Sequence, residues 1–411
     1  MTEATRQMGI GQLLRSFSDG LSPVTVAEEL LAEARLAGER HHHILAMDAD
    51  AVIASARLSE NRWKTGTARP LEGIPIASKG SVEFSNLLAD AGAYMQCVVV
   101  PNAGGTPLNQ PEGMDPTNPG AEAHMPGGSS TGSAIALACR HVPAAIGSDA
   151  AGSIRIPSLC CHVVGLKPSR GALGPALQGL SPTLCEIGPM ARSVEDAALL
   201  YAAMSGQAAG EPLAKPPIFG IFDDASLPPA MMQHLNEVAN RLGAQGAFVV
   251  RRNIPDFALS AEAGWTVLCY EAAHNMADML PALRNSPTSY LKYVEKGLSI
   301  TATAYQAALA FGAQFAAGLD RVLEGLDALM CASAWSAVPR RNDSDIAEIT
   351  AKWGELCLPF NLSGHPALAL QGPNHNGLPT GFQLVGHRGS EVELLASGVW
   401  VQRSTDYHLA M

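Results

Sequence analysis

The pattern of apolar and polar positions changes along the chain. Over residues 24–37, apolar side chains recur at helical spacing and three glutamates occupy the other face. This pattern predicts an amphipathic helix, and the segment after His43 has similar character. We therefore predict that residues 1–70 form a helical N-terminal segment.

Beyond this segment, short apolar runs typical of buried strands alternate with helical patterns. Strands are predicted at residues 142–146, 217–222, 248–251, 328–331, 366–371 and 381–385. Helices are predicted at residues 131–140, 231–242, 261–323 and 391–402. A further helix is expected to begin after the N-cap Ser193, with Asp196 completing a capping box, and Gly243 is expected to end helix 231–242.

The alternation of helices and strands indicates an α/β protein whose sheet is covered by helices on both faces. No linker or change in composition divides the chain, and we find no internal repeat. We therefore expect a single domain over residues 1–411.

The composition of the chain narrows the range of partners. Hydrophobic residues make up 47% of the 411 residues and charged residues only 16%, against roughly 25% charged residues in an average protein. This balance indicates a large interior. The formal net charge is −11, which disfavours binding to nucleic acid or to an anionic membrane surface.

The cysteines and the N-terminus bear on the compartment. None of the eight cysteines lies in a Cys-x-x-Cys pair, and residues 1–12 have no apolar core that could act as a secretion signal. No uninterrupted apolar stretch is long enough to span a bilayer. We expect a cytoplasmic protein with reduced cysteines, and a homodimer if the chain forms an oligomer.

Three short runs carry residues that could do chemistry. The strand-like run 73–80 ends at Lys79, which is either a buried base with a lowered pKa or a strand-end lysine whose amine reaches solvent. The run 126–133, Pro-Gly-Gly-Ser-Ser-Thr-Gly-Ser, places serines at a helix N-terminus but lacks the lysine of a P-loop. The small residues before Ser153 would let backbone N–H groups converge, although the nucleophile elbow of α/β-hydrolases is absent.

Together these runs resemble the amidase signature family. The resemblance extends from about residue 73 to the C-terminus. It is densest in PGGSS at 126–130, GSDAAGSIR at 147–155, VGLKP at 164–168 and GPMARSVEDAALL at 188–200. The segments FNLSGHPAL at 360–368 and GLPTGFQLVG at 377–386 are also similar to family segments.

The resemblance implies an amidase-signature fold with one large, twisted, mixed β-sheet, and a Ser-cisSer-Lys triad. Lys79 would be the base, Ser129 the relay after a cis peptide bond from Gly128, and Ser153 the nucleophile. The N–H groups of Ala150, Ala151, Gly152 and Ser153 would form the oxyanion hole. Ser148 is interpreted as structural, and no metal or cofactor is implied.

The implied reaction is hydrolysis of a small amide through an acyl-enzyme on Ser153. Residues 73–200 would form the catalytic core and residues 260–325 would cover the pocket. The aromatic residues of the covering region would either contact the substrate or pack in the core. They are Trp265, Tyr270, Tyr290 and Tyr305. Two alternatives remain: a glutamine-dependent amidotransferase subunit, and a non-catalytic binding protein.

The chain also departs from the family pattern. Gly80 replaces an aspartate, Ala151 replaces a glycine, and the segment between Lys79 and Ser129 is short. These departures put the shape of the pocket and the burial of the lysine in question.

Several further residues are candidates for the substrate pocket. Cys185 stands where an aspartate is common in the family, and His162 stands where a glycine is common. Each of these two residues either lines a pocket or packs in the core. Met125 is another candidate. Arg155 would hold a substrate carboxylate or pair with Asp149. The run His41-His42-His43 is read as solvated and not as a metal site, because adjacent helical side chains do not share a face.

Overall fold

The computed structural model describes residues 3–83, 85–101, 114–174, 180–223, 227–285, 289–334 and 336–409. The strands in these ranges are β1 Ile44–Ala46, β2 Pro75–Lys79, β3 Tyr94–Val99, β4 Ala144–Asp149, β5 Val164–Lys167, β6 Glu186–Ala191, β7 Ile218–Phe222, β8 Phe248–Arg252, β9 Ala328–Ala332, β10 Ala367–Gln371 and β11 Gly381–Val385.

The helices begin with five in the N-terminal quarter of the chain: α1 Glu3–Gln7, α2 Ile10–Ser18, α3 Pro23–His41, α4 Ala49–Lys64 and α5 Asn86–Asp90. The central helices are α6 Thr131–Ala138, α7 Arg155–Cys160, α8 Val194–Ser205, α9 Pro229–Ala244 and α10 Phe257–Asn275. The last helices are α11 Leu280–Asn285, α12 Ser289–Gly297, α13 Ala302–Leu323, α14 Ile346–Leu362 and α15 Glu391–Thr405.

The eleven described strands form one sheet in the order β1-β3-β2-β4-β6-β5-β10-β11-β9-β7-β8. The sheet is mixed: β2 runs parallel to both β3 and β4, whereas β4 and β5 are each antiparallel to β6. The α/β class and the single mixed sheet that the sequence predicts are therefore confirmed.

Helices cover both faces of the sheet because neighbouring strand residues point in opposite directions. Ile76 of β2 packs in one core cluster with Leu200 of α8. The next residue, Ala77, packs in another cluster with Ile135 of α6. Helices α8 and α6 thus lie on opposite faces of the sheet at β2.

A local signal placed the start of α8 correctly, whereas the predicted capping box and the predicted helix end at Gly243 were wrong. The hydroxyl of Ser193 accepts a hydrogen bond from the Asp196 N–H at 3.1 Å, so Ser193 is the N-cap of α8. The Asp196 carboxylate turns to α2 instead and accepts from the Gly11 N–H at 3.2 Å. Helix α9 continues through Gly243 to Ala244. In the described part of the chain, no helix combines the length and apolarity needed to cross a bilayer.

The parallel pairing of β2 and β4 places the candidate site. Ser78 of β2 is in register with Ile146 of β4, so both strands end at the same edge of the sheet. Lys79 is the last residue of β2, and Ser148 and Asp149 are the last residues of β4. Side chains at the carboxyl ends of these strands therefore meet.

Candidate active site

Lys79 is buried at the end of β2, with 2% of its surface exposed. Its Nζ donates hydrogen bonds to the hydroxyl oxygens of Ser129, at 2.8 Å, and Ser148, at 2.9 Å. Burial lowers the pKa of Lys79 to about 8, although Cys185 and Asp149 act in the opposite direction. Lys79 is therefore a buried lysine and not a strand-end lysine whose amine reaches solvent.

Ser129 follows a cis peptide bond from Gly128, as the resemblance implies. The turn before it depends on Gly127, whose φ is +72° and whose hypothetical Cβ would lie 2.8 Å from the Cα of Pro157. Helix α6 begins two residues after Ser129. The backbone therefore presents the Ser129 hydroxyl to Lys79 at the helix N-terminus.

Tyr290 also reaches Ser129. It lies at the start of α12, where burial raises the pKa of its phenol and the nearby Ser129 side chain acts in the opposite direction. The other aromatic residues of the region pack with one another: Trp265 stacks on Tyr293, and Tyr270 on Tyr305. Tyr290 is the member of this group that the structure brings to the site.

Ser153 lies in the turn between β4 and α7. Its carbonyl oxygen accepts from the Ser130 N–H at 2.9 Å, which joins this turn to the Ser129 segment. The Asp149 carboxylate holds the turn by accepting from the N–H groups of Gly152 at 2.8 Å and Ile154 at 3.2 Å. Buried ion pairing with Arg155 holds the pKa of Asp149 far below its usual range.

This turn changes the expected oxyanion hole. The Gly152 N–H points to Asp149, so it is not free for a substrate oxygen, and Gly152 is withdrawn as a donor. The N–H groups of Ala150, Ala151 and Ser153 have no hydrogen-bond acceptor among the residues that the structure describes. Three of the four expected donors thus remain available.

Arg155 pairs with Asp149 and does not face a substrate. The fully buried guanidinium donates to both carboxylate oxygens, at 3.0 and 2.9 Å. Its other N–H groups donate to the Cys357 carbonyl at 3.0 Å and to the side chains of Gln383 at 2.8 Å and Asn361 at 2.6 Å. All five donors of the guanidinium are used, which corrects the prediction of a substrate-carboxylate contact.

The other three candidates for substrate contacts differ in position. Cys185 is buried beside the site, where burial raises its pKa to about 11 against the opposing effects of Lys79 and Ser148. Its thiol therefore stays neutral near pH 7. Met125 is fully buried in an apolar cluster with Ile156 and Trp353, so it has no surface for a substrate.

His162 lies elsewhere, with its Nε2 2.9 Å from the Tyr407 carbonyl oxygen. In the run 41–43, His41 Nδ1 lies 2.7 Å from Thr117 Oγ1 and His43 Nε2 lies 2.8 Å from His141 Nε2. The described residues contain no group of three or more side chains suited to hold a metal ion.

Sequence reasoning missed the contact between Lys79 and Ser148. The order of residues gives no direct sign of it, because the contact depends on the register between β2 and β4. The parallel pairing of two short apolar runs, each ending in polar residues, is the signal that could have found it.

The comparisons with known proteins agree with this geometry. Over 97% of this chain and 98% of the relative, the sequence is 25% identical to a glutamyl-tRNA(Gln) amidotransferase subunit of Marinobacter nauticus. It is 28% identical to the putative amidase AmiA2 of Mycobacterium tuberculosis, over 84% of this chain and 82% of that one. A crystal structure of an amidase matches with a TM-score of 0.86 and 26% identity, covering 96% of this chain and 99% of that chain.

The family model named Amidase matches residues 109–395, well over half of the chain. This match includes Ser129, Ser153 and the turn that carries Ser153. The chain belongs to the amidase family, the amidase-signature enzymes, and is an enzyme that acts on amide bonds.

Proposed function

We propose that this enzyme is a serine amidohydrolase that cleaves the C–N bond of a small amide through an acyl-enzyme on Ser153. The observation that carries the proposal is the buried amine of Lys79, bonded to Ser129 beside the Ser153 turn. A serine hydroxyl is a weak nucleophile until a base removes its proton. A lysine whose pKa is lowered to about 8 supplies that base near neutral pH.

The proposed proton route uses the hydrogen bond between Ser129 and Lys79. As the Ser153 oxygen attacks the amide carbon, its proton passes to the Ser129 oxygen, and the Ser129 proton passes to the neutral amine of Lys79. The proton then returns by the same route to the leaving nitrogen, and ammonia or an amine departs. Water attacks the acyl-enzyme with the same residues as base and relay, and releases the carboxylic acid.

The oxyanion would be held by the free backbone donors of the turn. The N–H groups of Ala150, Ala151 and Ser153 are close together in the chain and are not used within the described part of it. The carboxylate of Asp149 fixes the turn around Gly152. Donors fixed before the reaction stabilise the developing negative charge without a cost of reorganisation.

A second candidate function is that of an amidotransferase subunit, which releases ammonia from glutamine for a partner protein. The relatives that are subunits of glutamyl-tRNA(Gln) amidotransferases align with nearly the whole chain and favour it. The alignment with the first of them extends over 478 positions, whereas the chain has 411 residues. The relative thus carries segments that this chain lacks.

The test is ammonia release from a panel of aliphatic, aryl and peptide amides, together with glutamine. The variants are Ser153→Ala and Lys79→Met, with the exposed Ser299→Ala as control. We expect release from at least one amide other than glutamine, with a loss of at least about 1,000-fold in both site variants. Release from glutamine alone would favour the amidotransferase. No release from any amide, or variants as active as Ser299→Ala, would overturn the proposal.

A further inference from the structure

A cavity of about 1020 Å³ lies away from the candidate active site, between α2, α8 and α15. The turn 161–163, with His162, forms part of its wall. Lys79, Ser129, Ser148 and Ser153 are not among its described lining residues. The cavity is therefore separate from the catalytic chemistry, and its volume suits a small organic molecule.

Two arginines line this cavity without a carboxylate partner. Arg192 donates to the carbonyl oxygens of Val142, at 2.8 Å, and Met8, at 2.5 Å. Arg140 bonds to the side-chain oxygen of Gln7. Both arginines are half-buried, and neither forms an ion pair within the part of the chain that the structure describes. Burial desolvates both charges, and no described carboxylate offsets that of Arg140.

The acidic residues at the cavity do not supply the missing negative charge. Glu195 pairs with Arg403 at 2.6 Å. The Asp196 carboxylate accepts from the Gly11 N–H, and burial raises its pKa. Glu211 is exposed at the edge. Asp196 nevertheless offsets part of the charge of Arg192. In a protein of net charge −11, Arg140 is thus the arginine that is left for an anion from outside the chain.

Their proximity adds to this argument. Burial and the nearby charge of Arg140 lower the pKa of Arg192 to about 10, against the opposite effect of Asp196. The attraction of Asp196 is the larger of the two electrostatic effects on Arg192, so burial is the main cost at this arginine. A bound anion would offset the desolvation of both guanidinium groups by forming charge-assisted hydrogen bonds with them.

The backbone at Arg140 is also unusual. Arg140 has a φ of +61°, in the left-handed region, directly after the C-cap of α6. Glycine adopts this conformation without a steric penalty, whereas an L side chain does not. Arg140 thus stands at a helix end where glycine is favoured, so its replacement by glycine does not strain the backbone.

Part of the remaining wall is apolar. Leu199 of α8 and Leu395 and Val399 of α15 line the cavity. We propose that the cavity binds a small organic anion, with its carboxylate or phosphate at Arg140 and Arg192 and its apolar body against α8 and α15. A cationic end joined to an apolar wall selects an amphipathic acid over a free inorganic ion.

The test is calorimetric titration of the full chain with benzoate, benzamide and inorganic phosphate. The Ser153→Ala background prevents turnover of the amide. Arg140→Gly removes the guanidinium and suits the left-handed backbone, so it does not threaten folding. His42→Gly is the matched control, because His42 is the exposed C-cap of α3 with a φ of +48° and lies outside the cavity.

We expect saturable binding of benzoate, at least tenfold weaker in Arg140→Gly and unchanged in His42→Gly, because a charge-assisted hydrogen bond is lost. Benzamide and phosphate should bind more weakly than benzoate. Phosphate binding that exceeds benzoate binding would exclude the apolar part of the proposal. Absence of benzoate binding, or equal affinity in Arg140→Gly, would overturn it. If benzoate binds instead at the candidate active site as a product analogue, its affinity will be equal in Arg140→Gly, because Arg140 does not reach that site. That result would also overturn the proposal.

Discussion

Lys79 joins the end of a buried strand to two serine hydroxyls. Because its amine has almost no contact with water, the neutral form is favoured and the pKa falls to about 8. In the ammonium form, Ser129 and Ser148 each accept one of its N–H groups. In the neutral form that acts as base, an N–H held by Ser148 would leave the lone pair free to accept the Ser129 proton.

The first prediction at this scale concerns pH. The base acts only when neutral, and the neutral fraction of Lys79 rises as the pH increases through the folded pKa of about 8. We expect kcat/KM to rise with pH and level off above that value. A pH–rate profile over the range in which the protein stays folded measures this. A midpoint near 10.4, the ordinary lysine value, would contradict the burial of the base.

The second prediction concerns Ser148 as a positioning residue. In Ser148→Ala, one acceptor of the Lys79 N–H groups is lost, and we expect kcat to fall about fivefold, since a hydrogen bond contributes about 1 kcal/mol. A hydroxyl that accepts from an ammonium favours the charged form, so its removal should move the midpoint of the pH profile below 8.

The control is Ser133→Ala, which also removes a buried hydroxyl hydrogen bond, to the Ile146 carbonyl at 2.9 Å, without touching Lys79. Its pH midpoint should not move. An equal shift in both variants would mean that Ser148 acts only through the packing of β4.

At the scale of elements, the turn from Asp149 to Arg155 is held by the buried pair between those two residues. Arg155→Met would leave the Asp149 carboxylate buried and unpaired, and we expect a loss of about 3–5 kcal/mol in the free energy of unfolding. Denaturant unfolding measures this. Arg403→Met breaks the exposed pair with Glu195 and should change stability little. Similar losses in the two variants would contradict the account.

Gly152 provides a second test of the turn. Its φ is +99°, and a Cβ would lie 2.8 Å from Ile156 Cδ1 and 2.9 Å from Cys357. Gly171 also has a positive φ, +74°, but open space around it. We expect Gly171→Ala to cost about 1–2 kcal/mol from backbone strain alone, and Gly152→Ala about 1–3 kcal/mol more from overpacking. Thermal and denaturant unfolding measure the loss of stability in each variant. Equal losses would show that a Cβ at position 152 fits into the turn without overpacking.

Some of the strands and helices could be predicted from the sequence and others could not. Strands β4, β7 and β9 were predicted because their apolar runs are short and bounded by turn residues. Strand β6 was missed because Gly188 and Pro189 argue against a strand. The glycine is required there, since a Cβ would lie 1.9 Å from the Leu166 carbonyl oxygen.

Helix α14 was missed for a different reason. It contains Gly354 and Pro359, and its buried residues Trp353, Leu358 and Phe360 do not form one apolar stripe. A helix buried around much of its circumference lacks the amphipathic pattern that sequence analysis detects. The site residues near the signature runs could be predicted, whereas Tyr290 could not, because its contact with Ser129 joins segments far apart in the chain.

At the scale of the whole molecule, the buried pair of His43 and His141 makes stability depend on pH. Burial lowers the pKa of both, that of His141 to about 3. His41 and His42 also lower the pKa of His43, and Arg192 lowers that of His141. Unfolded histidines take up protons below about 6.5, so the pair favours folding above that pH and the benefit is lost as the pH falls toward 3.

We expect the melting temperature to fall between pH 6.5 and 4, and to fall less steeply in His141→Gln. The exposed His274→Gln is the control. The readout is the slope of melting temperature against pH, which separates loss of titration from a general loss of stability. Parallel slopes in all three proteins would show that the pair does not govern the acid sensitivity.

The central claim is that the fold activates Ser153. The measurement that tests it most directly is intact-mass analysis after treatment with a fluorophosphonate, on the natural chain and on Ser153→Ala. The account predicts a single adduct on the natural chain, located on Ser153 and absent from the variant. A folded natural chain that gains no adduct, or a variant that is labelled equally, would contradict it.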